Sequence, residues 1–187
     1  MKRYPRPLAA WTAALVLVAM TAMAQPVKER APARQPDVPY EPSPPLAVKT
    51  MLDLAKVGAN DVVYDLGSGD GRIVITAAKD YGARGVGIDI DPRRIEEANA
   101  NARRSGVQDR VTFIEGDLFE ADLSRATVVT LFLWPEINLR LRERLRALRP
   151  GTRVVSYIHT MGDWQPDETV TIQVPSGKRA VYLWRIR

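Results

Sequence analysis

Short apolar runs rich in β-branched residues alternate with stretches of helical periodicity from residue 61 onward. The apolar runs predict five strands, at residues 62–65, 85–89, 111–115, 127–133 and 153–157. The stretches between them predict helices at residues 72–80, 92–105 and 138–149. Because strands and helices alternate strictly, the pattern predicts a doubly wound α/β sheet of parallel strands, with helices on both faces and right-handed crossovers.

Local signals mark where two of the helices begin and end. Asp91 suits the N-cap of the helix that follows it, Pro92 suits the first helical position, and Gly106 suits the end. A further helix before the first strand is expected to have Ser43 as its N-cap and to stop at Gly58.

The C-terminal part of the chain follows a different pattern. Two β-type runs, at residues 169–174 and 180–186, flank a Pro-Ser-Gly turn. This arrangement predicts a hairpin. The last strands should therefore run antiparallel to the rest of the sheet.

The first 24 residues have the layout of a targeting segment. Three positive charges precede the apolar run 8–22, and a small-x-small sequence stands before Gln25. This layout predicts a secretory signal peptide at residues 1–24. The run is shorter than the about 20 residues that span a bilayer comfortably, which favours cleavage. We expect an exported protein, periplasmic or extracellular; the alternative is an N-terminal membrane anchor, which would hold the protein near a membrane.

Residues 25–43 are rich in proline and are predicted to form a linker. The folded domain is then expected at residues 44–187. If the linker folds over that domain, Tyr40 would line the entrance to a site.

The composition narrows the chemistry that the domain can perform. With 187 residues and 45% hydrophobic content, the chain can bury one full core. The absence of cysteine and the single histidine argue against disulfides, thiolate or histidine metal sites and a Ser/His/Asp triad. Three positive charges of the net +5 lie in residues 1–24, so the basic charge is weak support for nucleic-acid binding.

Acidic side chains follow three of the predicted strands. Asp65 closes the first strand and precedes a loop with glycines at alternate positions, Gly67, Gly69 and Gly71. Asp89 ends the second strand, and Asp117 follows the third. In an open parallel sheet these strand ends surround the ligand site. A ligand rich in hydroxyl, amino or cationic groups would suit so many carboxylates.

A dinucleotide fits this loop poorly. The dinucleotide fingerprint is GxGxxG, whereas the loop reads GxGxG, and carboxylates beside a pyrophosphate would repel it. S-adenosylmethionine fits better because it has no phosphate and carries a sulfonium, an ammonium and a ribose. A nicotinamide-dependent oxidoreductase and a non-catalytic binding protein remain as alternatives.

The chain resembles the class I S-adenosylmethionine-dependent methyltransferases over residues 45–187. The resemblance implies a Rossmann-like, seven-stranded sheet with an antiparallel C-terminal hairpin. It also implies cofactor-binding roles for the acid and glycines of the loop, for Asp89 on the ribose hydroxyls and for Asp117 near the adenine amino group. Leu118 or Phe119 would pack on the adenine ring.

Five segments, YDLGSGDGR, GVGIDIDP, GDLF, TVVTLFLWPEIN and LRPGTRVVS, are more narrowly similar to mitochondrial protein-lysine methyltransferases. Those enzymes modify the c-ring protein of ATP synthase and the adenine nucleotide translocase. The similarity implies a protein partner whose lysine amine accepts the methyl group. The sequence carries no signal for an oligomeric state.

The end of the fourth predicted strand should contact the acceptor. Its sequence LWPEIN differs from the NPPY-type motif of amino-methylating DNA enzymes, and a cytosine C5 enzyme would need a cysteine. We therefore expect no specific nucleic acid partner. Trp134 could face the acceptor, and Glu136 or Asn138 could orient its amine. Capping of the helix at 138–149 is an equally good interpretation of the last two.

Other polar residues have simpler interpretations. Asp70 and Asp91 are interpreted as helix-capping residues, and His159 as structural. The arginines between residues 140 and 149 are expected to form a solvated helix face.

Overall fold

The computed structural model describes residues 35–36 and 38–187. The helices are Pro45–Leu54 (α1), Arg72–Tyr81 (α2), Pro92–Ser105 (α3) and Pro135–Arg146 (α4). The strands are Val62–Leu66 (β1), Arg84–Asp89 (β2), Val111–Glu115 (β3), Val128–Leu131 (β4), Arg153–Tyr157 (β5), Glu168–Val174 (β6) and Gly177–Arg185 (β7). Within this part of the chain, every helix is too short or too polar to cross a membrane. The predicted signal peptide or anchor lies outside the described residues, so it stays a prediction.

The strands form one sheet in the order β3-β2-β1-β4-β5-β7-β6. Strands β1 to β5 are mutually parallel, and β7 pairs antiparallel with both β5 and β6. The predicted fold class is confirmed, including the C-terminal hairpin. The chain moves outward from β1 to β3 and then returns to place β4 on the other side of β1. This change of direction opens a crevice at the carboxyl ends of β1 and β4.

Helices cover both faces of the sheet. Side chains of α1 and α2 pack on one face against Val63 of β1 and Val128 of β4. Side chains of α4 pack on the other face against Tyr64 and Leu66. Since both faces are buried, the central strands read as continuous apolar runs rather than as alternating ones.

Two predicted helix starts are wrong for the same reason. The N-cap of α1 is Pro44, and the carbonyl of Ser43 instead accepts a hydrogen bond from Arg72. Helix α4 begins at Pro135 rather than at Asn138, with Trp134 as its N-cap residue. In both helices a proline takes the first position, because its fixed φ suits a helix and its missing N–H is not needed there. By contrast, Asp91 caps α3 as predicted and accepts from the Arg93 N–H.

A polar cluster ties the amino ends of β1, β4 and β5 together. Asp61, directly before β1, accepts hydrogen bonds from the Thr127 hydroxyl at 2.7 Å and the Gly58 N–H at 2.9 Å, and it pairs with Arg153. Burial raises the pKa of Asp61, but the three partners outweigh burial and hold that pKa below its ordinary value. The ionised carboxylate therefore stabilises the folded state.

We expect Asp61→Asn to lower the free energy of unfolding by about 2 kcal/mol at pH 7, because Arg153 loses its charged partner. The pKa of Asp61 is depressed on folding, so its contribution is present above about pH 4 and is lost as pH falls further. Urea unfolding at pH 7 and pH 3.5 should therefore show a smaller difference between the variant and the native protein at the lower pH. Glu168→Gln, in an exposed pair with Arg185, is the control and should cost about 1 kcal/mol or less. Equal losses in the two variants would contradict this role.

Candidate active site

The glycine loop after β1 bends back onto the end of β2. The N–H groups of Gly67 and Ser68 both donate to the carbonyl of Ile88, at 2.8 and 2.9 Å. The three glycines have φ values of 77°, 52° and 81°, which lie in the left-handed region. Glycine enters this region without the steric cost that other residues incur. The alternating glycines thus let the loop turn tightly enough to reach β2.

Tyr40 lies directly on this loop. A Cβ atom added to Gly69 would collide with the Tyr40 ring. The Arg94 guanidinium lies 4.6 Å from the centroid of the same ring, on the α3 side. Arg72 donates to the Ser43 carbonyl at 2.9 Å and forms an ion pair with Asp70 at 2.6 Å. Residues 38–43, which we call the strap, are therefore held along the crevice.

The Asp89 carboxylate is fixed by two backbone donors. One oxygen accepts from the Gly69 N–H at 2.8 Å, and the other accepts from the Asp91 N–H at 2.9 Å. Each carboxylate oxygen can accept more than one hydrogen bond, so capacity for ligand hydroxyls remains. Asp89 thereby connects the loop to β2 and also lines the crevice.

The loop after β3 forms the next wall. The Asp117 carboxylate accepts from the Phe119 N–H at 2.9 Å, and both Asp117 and Leu118 line the crevice. The Arg140 guanidinium lies over the Phe119 ring, 3.7 Å from the ring centroid. Arg144 donates a hydrogen bond to the Phe119 carbonyl. These arginines are exposed as predicted, but they also hold this loop against α4.

The walls enclose a cleft of about 470 Å³. Its lining combines Gly67, Asp89, Asp117 and Leu118 with the strap and with Leu133 after β4. This volume lies within the range of about 300–1,000 Å³ that is usual for small-molecule sites. Four of the predicted cofactor residues thus meet in one cleft.

Asp65 lies beneath the glycine loop and is 2% exposed. Its carboxylate accepts a hydrogen bond from the Thr130 hydroxyl at 2.7 Å. Burial raises the pKa of Asp65 to about 7, the charges of Asp89 and Asp70 add to this rise, and the Thr130 hydrogen bond opposes it. Asp65 borders a small cavity of about 30 Å³ that shares Gly67 with the large cleft.

The three residues predicted to contact the acceptor have different positions. Trp134 is 51% exposed, and Glu136 is exposed in the first turn of α4. Asn138 is fully buried, and none of the three residues lines the cleft. Its amide donates to the Ser156 hydroxyl at 3.2 Å and to the carbonyl oxygens of His159 and Thr160 at 3.3 and 3.4 Å. Asn138 therefore holds the loop after β5.

A strained turn at the end of β5 was not predicted. Ile158 has a φ of 69°, which is unusual for a β-branched residue and costs about 1–3 kcal/mol. The His159 N–H donates to the Tyr157 carbonyl at 2.9 Å, and the Ile158 N–H donates to the Ala180 carbonyl at 2.9 Å. In the sequence, Ile158 continues the apolar run of β5. The residue types at this point therefore give no signal for a turn.

Comparisons with known proteins agree with this geometry. Residues 65–168, more than half of the chain, match the ANTKMT methyltransferase domain. A protein-lysine N-methyltransferase of Saccharolobus islandicus strain REY15A is 46% identical, over 81% of this chain and 95% of that protein. An adenine nucleotide translocase lysine N-methyltransferase of Mus musculus is 36% identical, over 76% of this chain and 62% of that protein. The chain thus spans somewhat less than two thirds of the mouse protein.

A solved structure shows the same architecture. The structure of an RNA methyltransferase from Salinibacter ruber, in complex with S-adenosylhomocysteine, has a TM-score of 0.75 and 54% sequence identity, covering 78% of this chain and 94% of that chain. S-adenosylhomocysteine is the demethylated form of the predicted cofactor, so the cofactor prediction is confirmed and the nicotinamide alternative is set aside. The chain belongs to the ANTKMT methyltransferase family and is an S-adenosylmethionine-dependent methyltransferase.

Proposed function

We propose that the protein methylates the side-chain amine of lysine in a protein substrate. The cofactor supplies an electrophilic methyl group on a sulfonium. The chain must hold that group in line with the acceptor amine, exclude water and keep the amine unprotonated. Positioning alone can lower such a barrier by about 7–11 kcal/mol in favourable cases.

The cleft suits the cofactor on electrostatic grounds. Carboxylates stand at the ends of β1, β2 and β3, where they would repel a phosphate but attract a sulfonium, an ammonium and hydroxyl donors. We assign Asp89 to the ribose hydroxyls, because its carboxylate is fixed at the cleft by two backbone donors. Asp117 and Leu118 are assigned to the adenine, and the glycine loop with Asp65 to the amino-acid end.

The observation that favours a lysine acceptor is the acidic charge near the end of β5, which we take as the acceptor entrance. Glu41 on the strap and Glu136 on α4 both act electrostatically on His159. Phe132 lines the cleft together with Glu41, and its ring packs 4.8 Å from that of Tyr157. Acidic and aromatic groups attract an alkylammonium and repel a phosphate backbone. The names of the Saccharolobus and mouse relatives support the same acceptor.

An RNA acceptor is the second candidate, because the similar Salinibacter protein is described as an RNA methyltransferase. The arginines of α4 would be its natural contact. Arg140 and Arg144 are already engaged with the loop after β3, however, and Arg142 pairs with Asp163. Because these arginines already make contacts within the protein, we infer that they stabilise the fold rather than bind RNA.

The acceptor class can be tested with three preparations and methyl-labelled cofactor. These are a bacterial protein extract freed of nucleic acid, the same extract with its amines acetylated, and total RNA. We expect label in the first preparation alone, recovered as methyl-lysine after hydrolysis. Label in the RNA instead would replace the protein acceptor with RNA. Glu136→Gln should slow labelling about three- to tenfold through weaker attraction, whereas Glu143→Gln, further along α4, should leave the rate unchanged.

Asp89→Ala should abolish measurable binding of S-adenosylhomocysteine, because it removes the proposed ribose acceptor and leaves the Gly69 and Asp91 N–H groups without their partner. Isothermal titration calorimetry measures this loss directly. Glu96→Ala on the exposed side of α3 is the matched control and should bind normally. Retained affinity in the Asp89 variant would refute the ribose assignment.

Binding of the cationic cofactor should release protons near neutral pH. A positive charge in the adjoining cleft favours ionised Asp65, so affinity should rise with pH through about 7 and level off above it. A pKa change of about one unit corresponds to a tenfold change in affinity. Titrations in buffers of different ionisation enthalpy report the protons released. Asp65→Asn should remove this part of the pH dependence, and an unchanged dependence would show that another group titrates.

A further inference from the structure

His159 is the single histidine of the chain and stands two residues beyond β5. The carboxyl end of a parallel strand is where a sheet of this kind presents functional residues. Tyr157 links the turn to the cleft, since its ring packs against Phe132, which lines the cleft. In the sheet, β5 lies beyond β4, on the opposite side of β1 from β2 and β3, so His159 follows a strand remote from the residues assigned to the adenine.

The backbone of His159 is held by several independent contacts. Its carbonyl accepts from the Ser156 hydroxyl at 2.6 Å and from the buried Asn138 amide at 3.3 Å. Its N–H closes the turn whose central residue, Ile158, has a positive φ. A β-branched residue is kept in such a conformation only where the surroundings enforce it, and such strain concentrates at functional sites. The fold thus fixes the backbone of His159 at the end of β5.

The charges that surround His159 come from both neighbouring elements. Burial lowers the pKa of His159, while Glu136 from α4 and Glu41 from the strap raise it in part. Asp163, in the same loop, is paired with Arg142. An imidazole with a lowered pKa is neutral at physiological pH, so it can accept a proton.

We propose that His159 is a catalytic residue that receives the proton of the incoming lysine ammonium. This inference rests on the proposed lysine acceptor. A Nζ–H bond of the ammonium breaks, an N–H bond forms on the imidazole, and the lone pair left on Nζ becomes available for the established methyl transfer. The imidazolium then returns the proton to water. A lysine ammonium has an ordinary pKa of about 10.4, so without a base few acceptor amines are reactive at neutral pH.

The first test compares His159→Gln with the native protein across pH 6–10, using the protein extract described above and saturating labelled cofactor. Loss of a general base should reduce the rate about 100-fold at pH 7.5. The difference in rate between the variant and the native protein should shrink toward pH 10, because there the lysine amine loses its proton to water without a base from the protein. An equal deficit at all pH values, or an unchanged profile, would overturn the proposal. Normal binding of S-adenosylhomocysteine and a cooperative thermal transition verify that the variant is folded.

A second test needs no activity of the variant at position 159. Because the chain has one histidine, its imidazole gives a single NMR titration in untagged protein. Glu136→Gln and Glu41→Gln should each lower the pKa of His159, and the acid limb of the rate profile should move to lower pH by the same amount. A pKa that shifts while the rate profile stays in place would overturn the proposal. Absence of lysine labelling by the native protein would instead refute the proposed function.

Discussion

The hydrogen bonds between the glycine loop and the end of β2 are the contacts on which the site depends. Gly67, Ser68 and Gly69 direct three successive N–H groups at the Ile88 carbonyl and the Asp89 carboxylate. They fix the direction in which the chain leaves β1 and therefore the start of α2. The same loop provides the surface on which Tyr40 lies. A change in this loop would disturb the Asp89 carboxylate and the strap together.

Acidic and basic side chains occupy different parts of the surface around the cleft. Buried and partly buried carboxylates stand at the ends of β1, β2 and β3, where a cationic ligand would offset their mutual repulsion. Glu41 on the strap and Glu136 on α4 are more exposed, so under the proposed function they would attract a cationic acceptor without a large desolvation cost. Arginines occupy the outer face of α4 and hold the loop after β3. A basic composition therefore coexists with an acidic site.

The errors in the predicted elements have local physical causes. Proline at the first position decided the starts of α1 and α4 against Ser43 and Asn138, whose side chains are better capping groups in isolation. Strand β4 ends at Leu131, before the predicted residue 133, because Phe132 and Leu133 leave the ladder to line the cleft. In each case a neighbouring constraint outweighed an intrinsic preference.

The sequence by itself determined the class of sheet, the cofactor and the four residues that meet in the cleft, because periodicity and closely spaced motifs are local properties. Only the tertiary structure decided that Asn138 faces inward, that the strap covers the glycine loop and that Ile158 is strained. Those features depend on contacts between residues far apart in the chain, such as Ile158 with Ala180 and Ser43 with Arg72. Such contacts leave no periodic pattern in the sequence, so only the packing of the folded chain establishes them.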